Sequence, residues 1–443
     1  MNFDLLIEKA KQANITEIEI YYQHSKGLNI SLFNGQVDKN VMHNTTGIAV
    51  RGMYNGQMGY VSSENLSDEN IELIIKKLID NASVLTSKEK SFIFSGSESY
   101  PEIKQTKALF LAISPQEKID LLKKLEAKIK AKDLRITSVG NCMYQEAKVE
   151  TIIQNSKGLY LEKSNSYCYV YASCVAKDNS DVKSGFDYLV VNDFNDIDID
   201  KLATSIANKA VGLLNASPVL SKKYPLILEN KVFADILGAF QPMFSGEAVL
   251  KKLTLLKDKL GEQIVSDKIT LIDDPLFEES FLQSAFDDEG VSCYQKEIIK
   301  DGKLITFLHN LKTANALNTK STGNGFKNGL NSPLGVHSSN LHIQKGDTSL
   351  DDMIKSIDEG LLITQVAGLH SGVNPVSGDF SLQATGYLIE ANKITRPVSL
   401  IVIAGNFLEM LNNVEEIGDD LTFSIQQIGA PSIKIKSLQV SGI

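Results

Sequence analysis

Between Gly368 and Ile394 the chain reads GLHSGVNPVSGDFSLQATGYLIEANKI, a stretch with few conformations open to it. Gly368, Gly372, Asn374, Pro375, Gly378 and Asp379 form turns or break helices, and an alternating run from Phe380 to Ile389 then reads as a strand. Glycine is needed where φ is positive or where another backbone comes close. Pro375 fixes its own φ and restricts Asn374 to extended conformations. Such a segment is either a tight crossing inside a domain or a binding loop. Along the run, Phe380, Leu382 and Ala384 share one face and Ser381, Gln383 and Thr385 the other, so one face packs while the other stays wet.

The rest of the chain divides around this stretch. Phe3–Ala13 has helical spacing, Ile15–Tyr22 alternates as a strand, and Ser25-Lys26-Gly27-Leu28 reads as a turn into a second strand. Asn34-Gly35 and Asn55-Gly56 are hairpin signals, and Ser67 opens a helix with Ile71, Ile74, Ile75, Leu78, Ile79 and Ala82 as its buried stripe. A second unit opens at Ser114-Pro115-Gln116-Glu117, a capping box with proline at the first helical position. Strands are expected near 134–144, 148–154, 158–176 and 184–192, then a helix capped by Asp198. The order helix, strands, helix repeats that of the first unit, and Ser156-Lys157-Gly158-Leu159 echoes Ser25-Lys26-Gly27-Leu28, which suggests duplication. From Tyr224 the pattern turns β-rich: a strand to Leu228, a helix over Val232–Met243, a hairpin at Asp301-Gly302, and one helix over Thr348–Glu359 closed by Gly360. The expected fold is α+β: an N-terminal domain over 1–90, a connector over 91–113, a second α+β domain over 114–218 and a β-rich C-terminal domain over 219–443.

The 443 residues suffice for two or three domains, and 43% apolar content allows a substantial core. Lys and Arg total 45 against 54 Asp and Glu, a net charge of −9, which argues against a nucleic-acid partner. Cys142, Cys168, Cys174 and Cys293 form no CxxC pair and read as reduced, buried thiols in a cytoplasmic protein. The N-terminus lacks the apolar core of a signal peptide, and no apolar run is long enough to span a bilayer.

Two further segments share the turn-rich texture, Asp273–Gly290, which holds Asp273-Asp274-Pro275 and Phe286-Asp287-Asp288-Glu289-Gly290, and Ser321–Gly329 (STGNGFKNG); Ile403–Leu421, which holds AGN and GDDL, joins them in a wider constellation. As an ordered set with the Gly368 segment, they resemble the TldD/PmbA family, once called modulators of DNA gyrase. The resemblance covers Tyr224–Ile443 well and the N-terminal half more loosely. Zinc-bearing members carry a helical H-E-x-x-x-H motif, with two imidazoles holding the metal and the Glu polarising a water. The matching helix here, Val232–Met243, has no histidine, and no cysteine follows Gly418-Asp419-Asp420-Leu421. The chain therefore resembles the TldE (PmbA) branch.

The resemblance implies a subunit that binds no zinc itself and partners a zinc-bearing TldD-like chain in a heterodimer, or forms a homodimer in its absence. The complex would cleave unfolded peptides, and zinc would sit in the partner. Catalytic residues and metal ligands are expected to be absent from this chain. His370, Gly372, Asn374, Gly378, Asp379 and Ser381 are the substrate-binding candidates, with the strand edge beside them holding peptide backbone. Two alternatives stay open: a stand-alone peptide-binding or scaffold protein, and a hydrolase using the acidic cluster Asp273, Asp274, Asp287, Asp288 and Glu289, which could hold a hard cation or cap turns. Gly323-Asn324-Gly325 with Lys327 carries a faint phosphate-binding signal without a P-loop context.

Overall fold

The computed structural model describes residues 1–86, 92–104 and 106–443. Residues 87–91 and 105, which belong to the expected connector or adjoin it, lie outside the described residues.

The fold is α+β. Its first part comprises α1 (Phe3–Gln12), β1 (Glu17–Phe33), β2 (Gln36–Tyr54), β3 (Gln57–Ser63) and α2 (Ile71–Ser83). Then come α3 (Pro115–Lys132), β4 (Ile136–Asn155), β5 (Tyr160–Asp178), β6 (Asp181–Val191) and α4 (Ile199–Val211). The six strands form one antiparallel sheet in the order β3-β2-β1-β4-β5-β6. Each half is thus helix, three-stranded meander, helix, and the halves meet where β1 pairs with β4.

The repeat is more regular than the sequence suggests. The strands expected at 134–144 and 148–154 are a single strand, β4, so neither half has an extra one. The echo, however, is false. Ser156–Leu159 does turn between β4 and β5, but Ser25–Leu28 runs straight through β1. Gly27 is there for closeness: a Cβ on it would fall within 2.2 Å of the Glu146 carbonyl on β4.

Hairpins form at Asn34-Gly35 and Asn55-Gly56, with both residues of each pair at positive φ, as type I′ turns require. The Ser114 capping box is present, and Ile119, Leu122, Leu125 and Ile129 of α3 are buried. One face of the sheet packs on the helices. The opposite face carries Tyr21 and Ile153, which pack against Ala285 and Phe286 of the C-terminal part.

That part holds β7 (Lys222–Leu228), α5 (Asn230–Phe240), α6 (Gly246–Lys251), β8 (Leu271–Asp273), β9 (Lys296–Lys300), β10 (Lys303–Leu304), α7 (Leu311–Ala316), β11 (Gly325–Lys327), β12 (Leu334–Val336) and β13 (Leu341–Ile343). It continues with α8 (Leu350–Lys355), β14 (Glu359–Ala367), α9 (Leu369–Gly372), β15 (Asp379–Glu390), β16 (Lys393–Asn406), α10 (Phe407–Asn412), β17 (Val414–Ile417), β18 (Thr422–Phe423), β19 (Ile428–Ala430) and β20 (Ile433–Ser441). Two six-stranded sheets result, β10-β9-β8-β13-β19-β18 and β16-β15-β14-β7-β20-β17, and a β16–β20 pairing closes five strands of the second into a ring. Helix α5 touches β14 of one sheet and β19 of the other. Its Phe240 stacks on Phe407 at 4.4 Å between centroids and meets Phe380 edge-on at 6.3 Å.

The helix expected over Thr348–Glu359 is shorter. It ends at Lys355, and Gly360 lies inside β14, where a Cβ would stand 2.6 Å from the Pro225 carbonyl. Among the described residues, no helix is long and apolar enough to cross a membrane.

Candidate functional site

The acidic cluster sits at the seam between the N-terminal sheet and the C-terminal part, and every member is buried. Asp287 Oδ1 accepts from the Glu289 and Val291 amides at 3.0 and 2.9 Å, and Oδ2 accepts from the Gly325 amide at 2.8 Å. Asp288 pairs with Lys163 at 2.8 Å and accepts from the Lys327 amide at 2.9 Å. Glu289 accepts from the Leu311 amide at 2.8 Å and faces Arg51 at 3.5 Å. Asp273 holds Lys296 at 3.0 Å and accepts from the Asn324 amide group at 2.8 Å. Asp274 accepts from the Leu276 amide at 3.0 Å, closing an Asx turn. Burial, followed by the Glu289 charge, pushes the Asp287 carboxyl well above the ordinary aspartate range. These acids fasten loops and join domains.

Two cavities flank this framework. The first, about 480 Å³, lies between the N-terminal sheet and the β11–β12 hairpin, with Arg51, Lys327, Tyr60 and Leu330 among its lining residues. The second, about 460 Å³, lies along α5. Its walls are Ala234, Asp235, Gly238 and Ala239 of α5, then Gln241, Leu369, His370, Val373 and Pro375, and Ser424, Gln426 and Ile428. Desolvation by those walls raises the Asp235 carboxyl to about 6, partly offset by Lys231 and Lys209.

Of the six substrate-binding candidates, His370 reaches the α5 cleft. Of the other five, Gly372, Asn374 and Gly378 lie in the turn-rich segment before β15, and Asp379 and Ser381 lie on β15 itself. Gly372 packs where a Cβ would stand 2.2 Å from the Ser381 carbonyl. Asn374 Oδ1 accepts from the Val376 amide at 3.0 Å, and its own amide donates to the Asp379 carbonyl at 2.9 Å. Gly378 takes φ of 83° and is buried against Asn406. Asp379 accepts from Asn406 Nδ2 at 3.0 Å and Ser377 Oγ at 2.8 Å, and these bonds hold its carboxyl below the usual range. Ser381 lies exposed on β15.

The alternation along β15 is as expected: Phe380, Leu382 and Ala384 are buried while Ser381 and Gln383 are exposed. The expected free strand edge is not there. β15 is flanked by β14 and β16, and a bridge from Val373 to Phe380 covers the open side at its start. The sequence reading missed Asp235, Gln241, Ser424 and Gln426 in the cleft; a lone acid in the apolar run VFADILGAF was the one available signal.

Three of the other histidines have local partners. His309 bonds Thr313, His342 bonds the Asn340 carbonyl, and His24 faces Glu150 and Asn44. Among the described residues, no three His, Cys, Asp or Glu side chains come together to hold a metal ion. On α5 the cleft positions five apart, the spacing of the two histidines in H-E-x-x-x-H, are Ala234 and Ala239. The residues present at this cleft do not fit a zinc ion.

A three-part chain of this architecture, with a helix-walled cleft in its last part, falls in the class of metallopeptidase-type folds: models of the PmbA/TldA metallopeptidase domain 1, central domain and C-terminal domain match residues 18–82, 109–214 and 221–442. The chain belongs to the PmbA/TldD metallopeptidase family. Among curated relatives, a metalloprotease of Methanocaldococcus jannaschii is 29% identical over 442 residues, covering 97% of this chain and 95% of that protein. Metalloprotease PmbA of Escherichia coli O157:H7 is 28% identical over 433 residues, covering 96% and 92%. A Thermotoga maritima structure described as a candidate modulator of a DNA gyrase superposes with a TM-score of 0.93 at 32% identity, covering 99% of each chain. TldE from Thermococcus kodakarensis superposes with a TM-score of 0.92, covering 99% of this chain and 100% of that one; at 24% identity it speaks to the fold alone.

Proposed function

We propose that this chain is the subunit without zinc in a two-component metalloprotease of the TldD/TldE type, acting on unfolded peptides in the cytoplasm. The observation that carries this reading is the cleft face of α5, where Ala234 and Ala239, at the spacing of the two histidines in H-E-x-x-x-H, supply no metal donor. A peptidase family fold with a cleft and no donor set suits a chain that shapes a chamber while a zinc-bearing TldD-like partner polarises the attacking water. The fold shared with TldE of T. kodakarensis accords with this. In the absence of such a partner, a homodimer takes its place. The net charge of −9 speaks against nucleic acid as the substrate.

The peptide is held within the cleft beside His370, since β15 has no free edge to extend. The experiment is co-expression with a zinc-bearing homologue, then assay of cleavage of an unfolded peptide by each chain alone and by the pair. Activity confined to a co-purifying pair supports the reading. Separate elution at micromolar concentration, with the partner fully active alone, overturns it.

A further inference from the structure

We propose that the pocket between the N-terminal sheet and the β11–β12 hairpin binds the free C-terminal end of a peptide, an apolar last residue with its α-carboxylate. The inference rests on the peptide-processing reading and specifies which part of the peptide this chain holds and where. The pocket of about 480 Å³ falls within the roughly 300–1,000 Å³ typical of small-ligand sites.

Its walls divide into an apolar and a charged half. Val61 and Ala49 from the sheet, Phe92, and Leu330, Pro333 and Leu334 from the hairpin form the apolar half. At the charged end every carboxylate already has partners. Glu19 is held by Arg51 at 2.8 Å and accepts from Asn155 at 3.3 Å. Asp288 is held by Lys163 and the Lys327 amide, and Glu289 by Arg51 and the Leu311 amide. Lys312 has a contact of its own.

Lys327 differs. Its ammonium stands 5.1 Å from the Tyr21 ring centroid, and no carboxylate lies within ion-pairing distance of it among the described residues. Desolvation lowers its pKa, with the Asp288 charge only partly opposing that. A half-buried cation without an anion beside an apolar wall calls for a ligand with one negative charge and an apolar body. A peptide N-terminus would instead need an open carboxylate, and none is free here. One uncommitted cation also suits a monoanionic carboxylate better than a doubly charged phosphate. The backbone of Lys327 is fixed independently of its side chain, by pairing with Leu334 and by the Asp288 bond, so the side chain can be changed without unfastening the hairpin.

The test is calorimetric titration of the isolated full chain with an unstructured, leucine-ended peptide, as free acid and as C-terminal amide, and with N-acetyl-leucine. Because it needs neither partner nor catalysis, its failure is distinguishable from failure of the two-component reading. The free acid should bind at least about tenfold more tightly than the amide, the loss expected for a charge-assisted contact. Lys327→Met should bring the free acid down to the amide level with an unchanged melting temperature. N-acetyl-leucine should bind more weakly than the peptide. Equal affinity of acid and amide on the wild-type chain, or no binding of either, overturns the proposal without recourse to any variant. N-acetyl-leucine binding as tightly as the peptide overturns the peptide assignment in favour of a small-carboxylate site.

Discussion

Lys163 of β5 and Asp288 of the C-terminal part form a 2.8 Å ion pair, with side-chain exposures of 8% and 6%. Lys163 also donates to the Phe286 carbonyl at 3.2 Å and lies 5.1 Å from that residue's ring centroid. Burial alone would lower the lysine's pKa; the Asp288 charge overrides it and holds the pKa above its ordinary value. The pair therefore bolts the N-terminal sheet onto the loop that forms one end of the larger pocket. Lys163→Met leaves Asp288 charged, buried and without its cation, which should cost about 3–5 kcal/mol of stability. Urea denaturation checks this. A loss below about 1 kcal/mol, typical of surface pairs, would mean that the seam is wetter than the structure has it.

His309 sets a pH dependence. It is buried, and burial pushes its pKa down from 6.5 to about 4. The unfolded chain thus binds a proton on this residue between those values while the folded chain does not. Its stabilising contribution is complete above pH 6.5 and is lost as pH falls toward 4. Between pH 7 and pH 4 the wild-type chain should lose up to about 3 kcal/mol more stability than His309→Gln. Parallel stability curves for the two proteins would contradict the assignment.

Two glycines of the loop before β15 separate two reasons for glycine. Gly368 has φ of 88° but open space around it, whereas Gly372 has ordinary φ and the Ser381 carbonyl 2.2 Å from where a Cβ would stand. Gly368→Ala should cost about 1–2 kcal/mol, the price of left-handed backbone. Gly372→Ala should cost at least about 2 kcal/mol through overpacking against backbone. Thermal melts rank them, and the reverse order would show that the loop yields where it is drawn as tight.

The same distinction explains what was legible in the sequence. Asn34-Gly35, Asn55-Gly56 and the Ser114 capping box are local chemistry, and each appears where expected. Local pattern makes Gly27 a turn and Gly360 a helix stop, yet both sit within strands because a partner backbone passes close. That reason is tertiary, so no local pattern contains it. His370 was legible because the Gly-rich loop announces itself. The larger pocket was not, since its walls come from segments as distant as Glu19, Tyr60, Glu289 and Lys327. The sequence around Lys327 suggests phosphate, but Tyr21 and the apolar hairpin come to it only through the fold.

The central claim is that this chain belongs to a peptidase complex yet supplies none of its metal. Elemental analysis of the isolated chain and of the complex, purified without chelator, tests it most directly. The isolated chain should hold no stoichiometric zinc, and the zinc of the complex should follow the partner when the two are separated. One tightly bound zinc per isolated chain, released by His370→Ala, would contradict the account.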